Sequence, residues 1–438
     1  MKKYIFIILG MILLASTACK RNKSQEVPDG CIEYQGEILK ENEPIRYDSN
    51  GDGKIDANDK TIGVLGTNLN ISQNPDGSRF YSGSSSDSGE GGEGSQGGDG
   101  GQGGQGGQGG SGSSETQSAV PVGEKLCYHN LEKYCSKNGG LYAYETSVNA
   151  AQSSMKNNAF VVADANQNGI ADYIEDIRSQ AQITALANTI ATKYATATEK
   201  EIEKNASGKQ IGLAYLLECI KTAIVNGLEE ALYGSNESID ISNVETIVNT
   251  RVSVAIVNAV SEAGILPYIN SESLAKIAEK TAADVSVAVA DSIATSVTTA
   301  ILAQYETLSS QGNITNVQGI CPNGYHIPSD VEWMIFEQAL GMSAADLTKS
   351  GITEINRGAD ANVVKKMVSD YGFDYGGYAS INGTYAQLGE AGVYWSSTTG
   401  TDENGDYVWV RQIDTSYNGV IRFKMYEKSG LSVRCFKD

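Results

Sequence analysis

The stretch CPNGYHIPSDVEW, residues 321–333, determines how the C-terminal part of the chain is interpreted. Ser329 and Glu332 are spaced as a capping box, in which two side chains satisfy backbone N–H groups at the start of a helix. The pattern therefore predicts a helix that begins after Pro328. It also indicates that Glu332 is a capping residue rather than a catalytic acid.

Downstream of this helix, short apolar segments rich in β-branched and aromatic residues predict strands. The predicted strands comprise residues 393–395, 407–410 and 420–423. Asn-Gly dipeptides, which favour turns, separate them. All three tryptophans of the chain lie in this part: Trp333, Trp395 and Trp409. We expect most of them to pack in a core rather than to face a ligand.

Upstream, residues 172–310 show the periodicity of long amphipathic helices. Apolar residues recur at three- and four-residue spacing in four segments, the last with a stripe from Leu274 to Ile301. A capping box at Ser242 and Glu245 opens the third segment, and Gly264 lies near its end. Four such helices with short connections predict an antiparallel helical bundle. Neither histidine lies here, so we expect a structural bundle rather than a cofactor site.

The first residues indicate export. Lys2 and Lys3 precede an apolar run over residues 4–14 that is too short to span a membrane and typical of a signal peptide. Small residues before Cys19 resemble the lipobox of bacterial lipoproteins, with Ser16 as a departure. We expect removal of residues 1–18 and lipidation of Cys19, whereas simple cleavage and release is the alternative. No later segment is expected to cross a membrane.

The acidic composition argues against binding to nucleic acids or to anionic membrane surfaces. The chain has 438 residues and a formal net charge of −20, whereas nucleic acids and anionic membrane surfaces require basic patches. Only two histidines are present, which disfavours histidine-based catalysis.

Residues 82–115 form a Gly/Ser/Gln-rich tract that predicts a disordered spacer. The tract follows a polar segment over residues 19–81.

Several motifs resemble the Fibrobacter succinogenes major paralogous domain. The 321–333 stretch is similar to the family pattern C-P-x-G-W-H-x-P-S-x-x-E-W, with Tyr325 in place of Trp. The sequences YWSS at 394–397 and SVRCFKD at 432–438 match further elements, as does CYHN at 127–130 with Cys135 following. The resemblance implies an α+β, C-type-lectin-like module built from 122–150 plus 317–438. The bundle, residues 151–316, is then an insertion, and no catalytic residue is implied.

Six cysteines remain after Cys19 and allow 15 pairings, between which the sequence alone does not choose. The resemblance implies disulfides Cys127–Cys135 and Cys321–Cys435. Cys219 lies in an apolar helical stretch and is expected to be a buried free thiol, and Cys31 has no evident partner. His129 and His326 adjoin these cysteines, and we expect both to be packing residues rather than bases.

One candidate calcium loop spans residues 48–59. Oxygen ligands are expected from Asp48, Asn50, Asp52, the Lys54 carbonyl, Asp56 and Asp59. Gly53 occupies the sharp turn, Ile55 should anchor the loop to apolar neighbours, and the pattern resembles an EF-hand or dockerin loop. The alternative is an Asp/Asn/Gly turn that holds no ion.

A second candidate loop spans residues 164–175. Its expected ligands are Asp164, Asn166, Asn168, the Ile170 carbonyl, Asp172 and Glu175. The alternative is a helix-entry turn in which Asp172 and Glu175 favour the helix N-terminus. Both sites would hold Ca²⁺ in a structural role.

These features together predict an exported bacterial lipoprotein of the cell envelope, anchored in the outer membrane and facing the periplasm or the exterior. We expect a non-enzymatic module that recognises a ligand, such as a polysaccharide. One alternative is a structural component that assembles with a surface protein through the bundle. A second is a hydrolase, which would need a pair of carboxylates in a cleft.

Overall fold

The computed structural model describes residues 27–50, 54–78, 120–148, 160, 172–205, 211–234, 243–312, 317–403 and 405–438. Their mixture of helices and strands is α+β, as the sequence predicts. The signal peptide, the lipidation site and the predicted spacer lie outside the described residues. So do the following predicted calcium ligands: Asp52, Asp164, Asn166, Asn168 and Ile170.

The N-terminal segment packs against the C-terminal part of the chain. It contains two antiparallel pairs, β1 (Cys31–Tyr34) with β2 (Glu37–Lys40) and β3 (Ile45–Arg46) with β4 (Thr61–Ile62). After β4, the Leu65 N–H donates to the Cys435 carbonyl at 3.0 Å. Leu39, Leu65, Leu69 and Ile71 are buried in one core with Trp395 and Val433. Residues 27–78 therefore share the core of the C-terminal part.

Residues 120–148 lie against the same core. Two short helices, α1 (Glu132–Asn138) and α2 (Tyr144–Val148), flank a short extended segment. In this segment Tyr142 forms an antiparallel β-bridge with Leu431. The Trp395 indole N–H donates to the Tyr142 carbonyl at 2.8 Å. This proximity agrees with the resemblance, although the division into a split module and an insertion stays a prediction.

Five helices follow in sequence: α3 (Asp172–Arg178), α4 (Gln180–Asn205), α5 (Leu213–Tyr233), α6 (Val244–Glu262) and α7 (Ser271–Ser310). Each of α4, α5 and α6 packs against the next helix, and α4 also contacts α7. The predicted apolar stripe of α7 is buried from Leu274 to Ile301. The antiparallel bundle itself stays a prediction.

Two expectations about the helices need correction. The first predicted helix is interrupted at Ser179, so α3 and α4 are separate elements. Ser242 lies outside the described residues, so its capping box with Glu245 stays a prediction, and α6 begins at Val244. Helix α7 also contains an 18-residue window long and apolar enough to cross a membrane, which the sequence analysis overlooked. Of that window, 44% is buried inside the protein.

The C-terminal part combines short helices with strands. In order they are β5 (Tyr325–His326), α8 (Asp330–Ala339), α9 (Ala344–Leu347), α10 (Val363–Tyr371), β6 (Tyr378–Ala379), β7 (Tyr385–Ala386), β8 (Ala391–Asp402), β9 (Gly405–Asp414), β10 (Ile421–Met425) and β11 (Phe436–Lys437). Strands β8, β9 and β10 form one antiparallel sheet, and β11 pairs with β5. The capping box of Ser329 and Glu332 is confirmed at the start of α8. All three tryptophans are buried, as expected.

Two disulfides close the module as the resemblance implies. Cys321 is joined to Cys435 and Cys127 to Cys135, with Cα–Cα separations of 5.8 and 5.1 Å. Cys31 is also disulfide-bonded. Cys219 is a free thiol, but it is half-buried rather than fully buried.

Candidate ligand-binding groove

A buried ion-pair cluster fixes α8 on the β8–β10 sheet. The Asp330 carboxylate accepts hydrogen bonds from Arg411 at 2.8 Å and from two nitrogens of Arg422 at 2.9 and 2.6 Å. Glu337, about two turns further along α8, accepts from Arg411 at 2.7 Å and also pairs with Arg357. All five side chains are almost entirely removed from solvent.

The arginines of this cluster keep its two buried carboxylates ionised. Burial alone would raise the pKa of Asp330, but Arg422 and Arg411 hold it well below its usual range. Glu337 has a lowered pKa for the same reason, with Arg357 and Arg411 opposing the effect of burial. Because its side chains are almost entirely buried, the cluster positions α8 on the sheet and does not offer a surface to a ligand.

His326 belongs to a second buried network. Its Nε2 lies 2.7 Å from Glu332, and its Nδ1 lies 2.7 Å from Asp438. Burial lowers the pKa of His326, but the two carboxylates outweigh it and raise the pKa to about 9. The raised pKa favours a charged imidazole at neutral pH, which joins Glu332 at the start of α8 to Asp438. The packing role expected of His326 stays a prediction. His129, in contrast, is exposed.

An open groove of about 360 Å³ lies between α10 and the connection from β9 to β10. Two tyrosine rings, Tyr375 and Tyr417, line it together with the Asp414 carboxylate and the Lys365 ammonium. Tyr417 is 39% exposed. Further polar lining comes from Asn362, Ser369, Thr415 and Asn418. Of these residues only Asn418 carries a local signal, as part of the Asn418–Gly419 turn, and the others are not predicted by any sequence motif.

Local structure holds this lining in place. Val363, Val364 and Met367 bury one face of α10, so Lys365 and Ser369 on its other face remain exposed. On the opposite wall, the Asp414 carboxylate accepts the Ser416 N–H at 2.7 Å.

The connection after Asn418 is equally constrained. Gly419 runs so close to another segment that an added Cβ would lie 2.4 Å from the Ile355 carbonyl oxygen and 2.5 Å from the Arg357 nitrogen. Only glycine fits there without a shift of backbone. The backbone that follows Asn418, on one side of the groove, is therefore held closely against the segment of Ile355 and Arg357.

The groove offers hydrogen-bonding groups beside aromatic rings. Burial, with a smaller contribution from Asp414, raises the pKa of Tyr375, so its phenol is neutral and able to donate. Asp414 is the one carboxylate among the described residues that line the groove.

The first predicted calcium loop is closed by Asp59. One carboxylate oxygen of Asp59 accepts from the Ser49 N–H at 3.0 Å, and the other accepts from the Asp56 N–H at 2.7 Å. These bonds lower the pKa of Asp59. Asp48 and Asp59 are both buried. The expected anchoring role of Ile55 is wrong, because its side chain is 54% exposed.

The second predicted loop is represented by Asp172 and Glu175, which lie in the first turn of α3. Within the described part of the chain, one group of three potential metal ligands comes together, namely Cys127, Glu132 and Cys135. Two of these are joined in a disulfide and so are not available as thiolates. The Ca²⁺ sites at both loops stay predictions.

Fold and groove define a mixed α+β module that presents a polar, tyrosine-lined surface. The family model of the Fibrobacter succinogenes major domain (Fib_succ_major) matches residues 263–437. Residues 263–437 are therefore similar to that family, a surface-type bacterial domain of unknown function. The match begins at the end of α6 and so includes α7 as well as the groove. Neither a curated protein nor a solved structure matches the chain.

Proposed function

We propose that the protein is an envelope-associated bacterial module that binds a neutral polysaccharide in the α10 groove without chemical conversion. The observation that carries this proposal is the pairing of two tyrosine rings with one acid and several amides and hydroxyls around an open groove of about 360 Å³. Sugar rings present an apolar face and a hydroxyl rim, which match aromatic and polar groups respectively. The formal net charge of −20 disfavours acidic polysaccharides.

Binding to a panel of neutral glycans tests the proposal. Tyr417→Ala removes an exposed ring from the groove and should weaken binding about tenfold, since an aromatic contact contributes about 1 kcal/mol beyond its buried area. Tyr426→Ala is the matched control, because Tyr426 is 52% exposed and does not line the groove. Absence of any glycan ligand, or equal losses for the two variants, would contradict the proposal.

The predicted lipid anchor is part of the same proposal. Mass spectrometry of the mature N-terminus from membranes should find Cys19 carrying a lipid, and Cys19→Ala should release the protein. A thioether on Cys19 excludes a disulfide between that sulfur and the disulfide-bonded Cys31. Detection of a peptide crosslinked through both cysteines would therefore contradict lipidation.

The calcium loops are proposed to be structural. The melting temperature should rise when Ca²⁺ is added and fall on chelation, because an ion that binds only the folded state stabilises it. Asp59→Asn should remove most of the response of the first loop. Asp360→Asn, at an exposed position on another segment, is the control. An unchanged melting temperature on chelation contradicts both sites.

An assembly role through the helices is the second candidate, and exposed apolar residues favour it. Val254 on α6 and Val287 on α7 are 52% and 49% exposed. Crosslinking in intact cells, followed by recovery of one abundant envelope protein, would support this role. Replacing both valines by serine should then abolish the crosslink without changing glycan binding.

A further inference from the structure

A second group of aromatic rings lies on the loop closed by the Cys127–Cys135 disulfide. The Tyr128 ring centroid is 4.8 Å from that of His129 and 5.1 Å from that of Tyr385. The rings of His129 and Tyr385 are 5.7 Å apart. His129 is exposed and the two tyrosines are partly exposed, so this ring cluster reaches solvent.

The backbone of this loop is fixed by local contacts. His129 and Asn130 have φ of 52° and 56°, in the left-handed region, where His and Asn are found more often than most residues. The Asn130 N–H donates to the Cys127 carbonyl at 2.6 Å, and the Cys127–Cys135 disulfide closes the loop. The Tyr385 hydroxyl donates to the Asn130 side chain at 2.9 Å. These contacts hold the exposed rings in a fixed arrangement, which lowers the entropy lost when a ligand binds.

The ring cluster adjoins the α10 groove. Tyr375 lines the groove, and Gly377, two residues later, abuts Tyr128, whose ring carbon would lie 2.9 Å from a Cβ at that position. Two residues of chain span at most about 7 Å. Gly377 also has φ of +70°, which favours glycine, and the strand that follows it pairs with the strand of Tyr385. The backbone therefore links the two aromatic sites directly.

We propose that Tyr128, His129 and Tyr385 form a second subsite for the polysaccharide held in the groove. The module then recognises a run of several sugars rather than a single terminal sugar. Rings supply stacking faces, and the imidazole and phenol edges supply hydrogen bonds to hydroxyls. This inference rests on the function proposed for the groove and adds a requirement for chain length.

Affinity as a function of chain length tests the second subsite. Malto- and cello-oligosaccharides of two and six glucose units serve as ligands in calorimetric titrations of the full chain. The wild type should bind the longer member of one series at least about tenfold more tightly than the shorter. His129→Ala and Tyr128→Ala should reduce this difference and leave affinity for the disaccharide unchanged.

The controls separate the two proposals. Leu131→Ala removes a side chain that is 45% exposed on the same loop but carries no ring, and it should change neither affinity. Tyr417→Ala should weaken binding of both lengths. Length-independent binding by the wild type, or full length dependence in both ring variants, overturns the second subsite alone. Binding of neither series by the wild type overturns the groove assignment and this inference together.

Discussion

Replacing Asp330 by Asn tests whether the buried ion-pair cluster governs the stability of the C-terminal module. The cluster contains three arginines and two acids, so the substitution changes its formal charge from +1 to +2. Asn keeps one acceptor oxygen but turns an N–H₂ group toward the Arg422 nitrogen that lies 2.6 Å from the present carboxylate. One charge-assisted hydrogen bond is lost, Arg422 loses its carboxylate partner, and Arg411 keeps only Glu337.

The expected loss of unfolding free energy is about 3–5 kcal/mol at pH 7, since breaking one partner of a buried ion pair leaves an uncompensated charge. In urea this corresponds to a midpoint lower by roughly 1–2 M for a slope of about 2–3 kcal/mol per M. Tryptophan fluorescence is the appropriate signal, because Arg422 lies 3.8 Å from the ring centroid of Trp409, and Arg411 lies 5.9 Å from that of Trp333. Asp360→Asn, on the surface, is the matched control.

The pH dependence checks the same reasoning independently. The folded-state pKa of Asp330 is lowered, so its stabilising contribution is present above the unfolded-state pKa of about 3.9 and lost as pH falls below it. The difference in unfolding free energy between wild type and Asp330→Asn should therefore shrink below about pH 4. A difference from the Asp360→Asn control of less than about 1 kcal/mol at pH 7 would refute the argument.

Three further predictions concern separate sites. Burial lowers the pKa of His326 but Glu332 outweighs it, so the stabilisation is complete below the unfolded pKa of about 6.5 and lost as pH rises through about 9. The melting temperature of the wild type should fall over that interval, and His326→Asn should flatten the profile. Burial raises the pKa of Asp374 to about 6, so stability should increase as pH falls from about 6 to about 4. Asp374→Asn should remove that increase. If urea titrations of the variant still show the unfolding free energy rising over this pH range, other groups cause the increase. A Cβ at Gly227 would lie 2.7 Å from the Val252 backbone, so Gly227→Ala should lower the melting temperature although alanine favours helices by about 1 kcal/mol. A higher melting temperature would show that α5 and α6 separate easily.

Local patterns predicted those elements whose signals are contained in a few neighbouring residues. The capping box of Ser329 and Glu332 is such a signal, and so is the periodic stripe of α7. The anchoring role expected of Ile55 was wrong, since its burial depends on what packs against the loop rather than on the motif.

The candidate site depended on the tertiary structure. Lys365 on α10 and Tyr417 after β9 are far apart in sequence, and neither carries a local motif. They line one groove because the fold brings α10 beside the connection that follows β9. The aromatic loop required the same information, since Tyr128 meets Tyr385 across the fold.

The sequence by itself determined the α+β class, the cysteine-bearing motifs of the C-terminal family and the amphipathic helices, because periodicity and capping act over a few residues. Only the tertiary structure decided that residues 27–78 contribute to the C-terminal core and that tyrosines from distant segments face one groove. Both depend on which distant segments pack together and are buried from water. Contacts between residues remote in sequence, such as Leu65 with Cys435, do not appear in the local periodicity of the sequence.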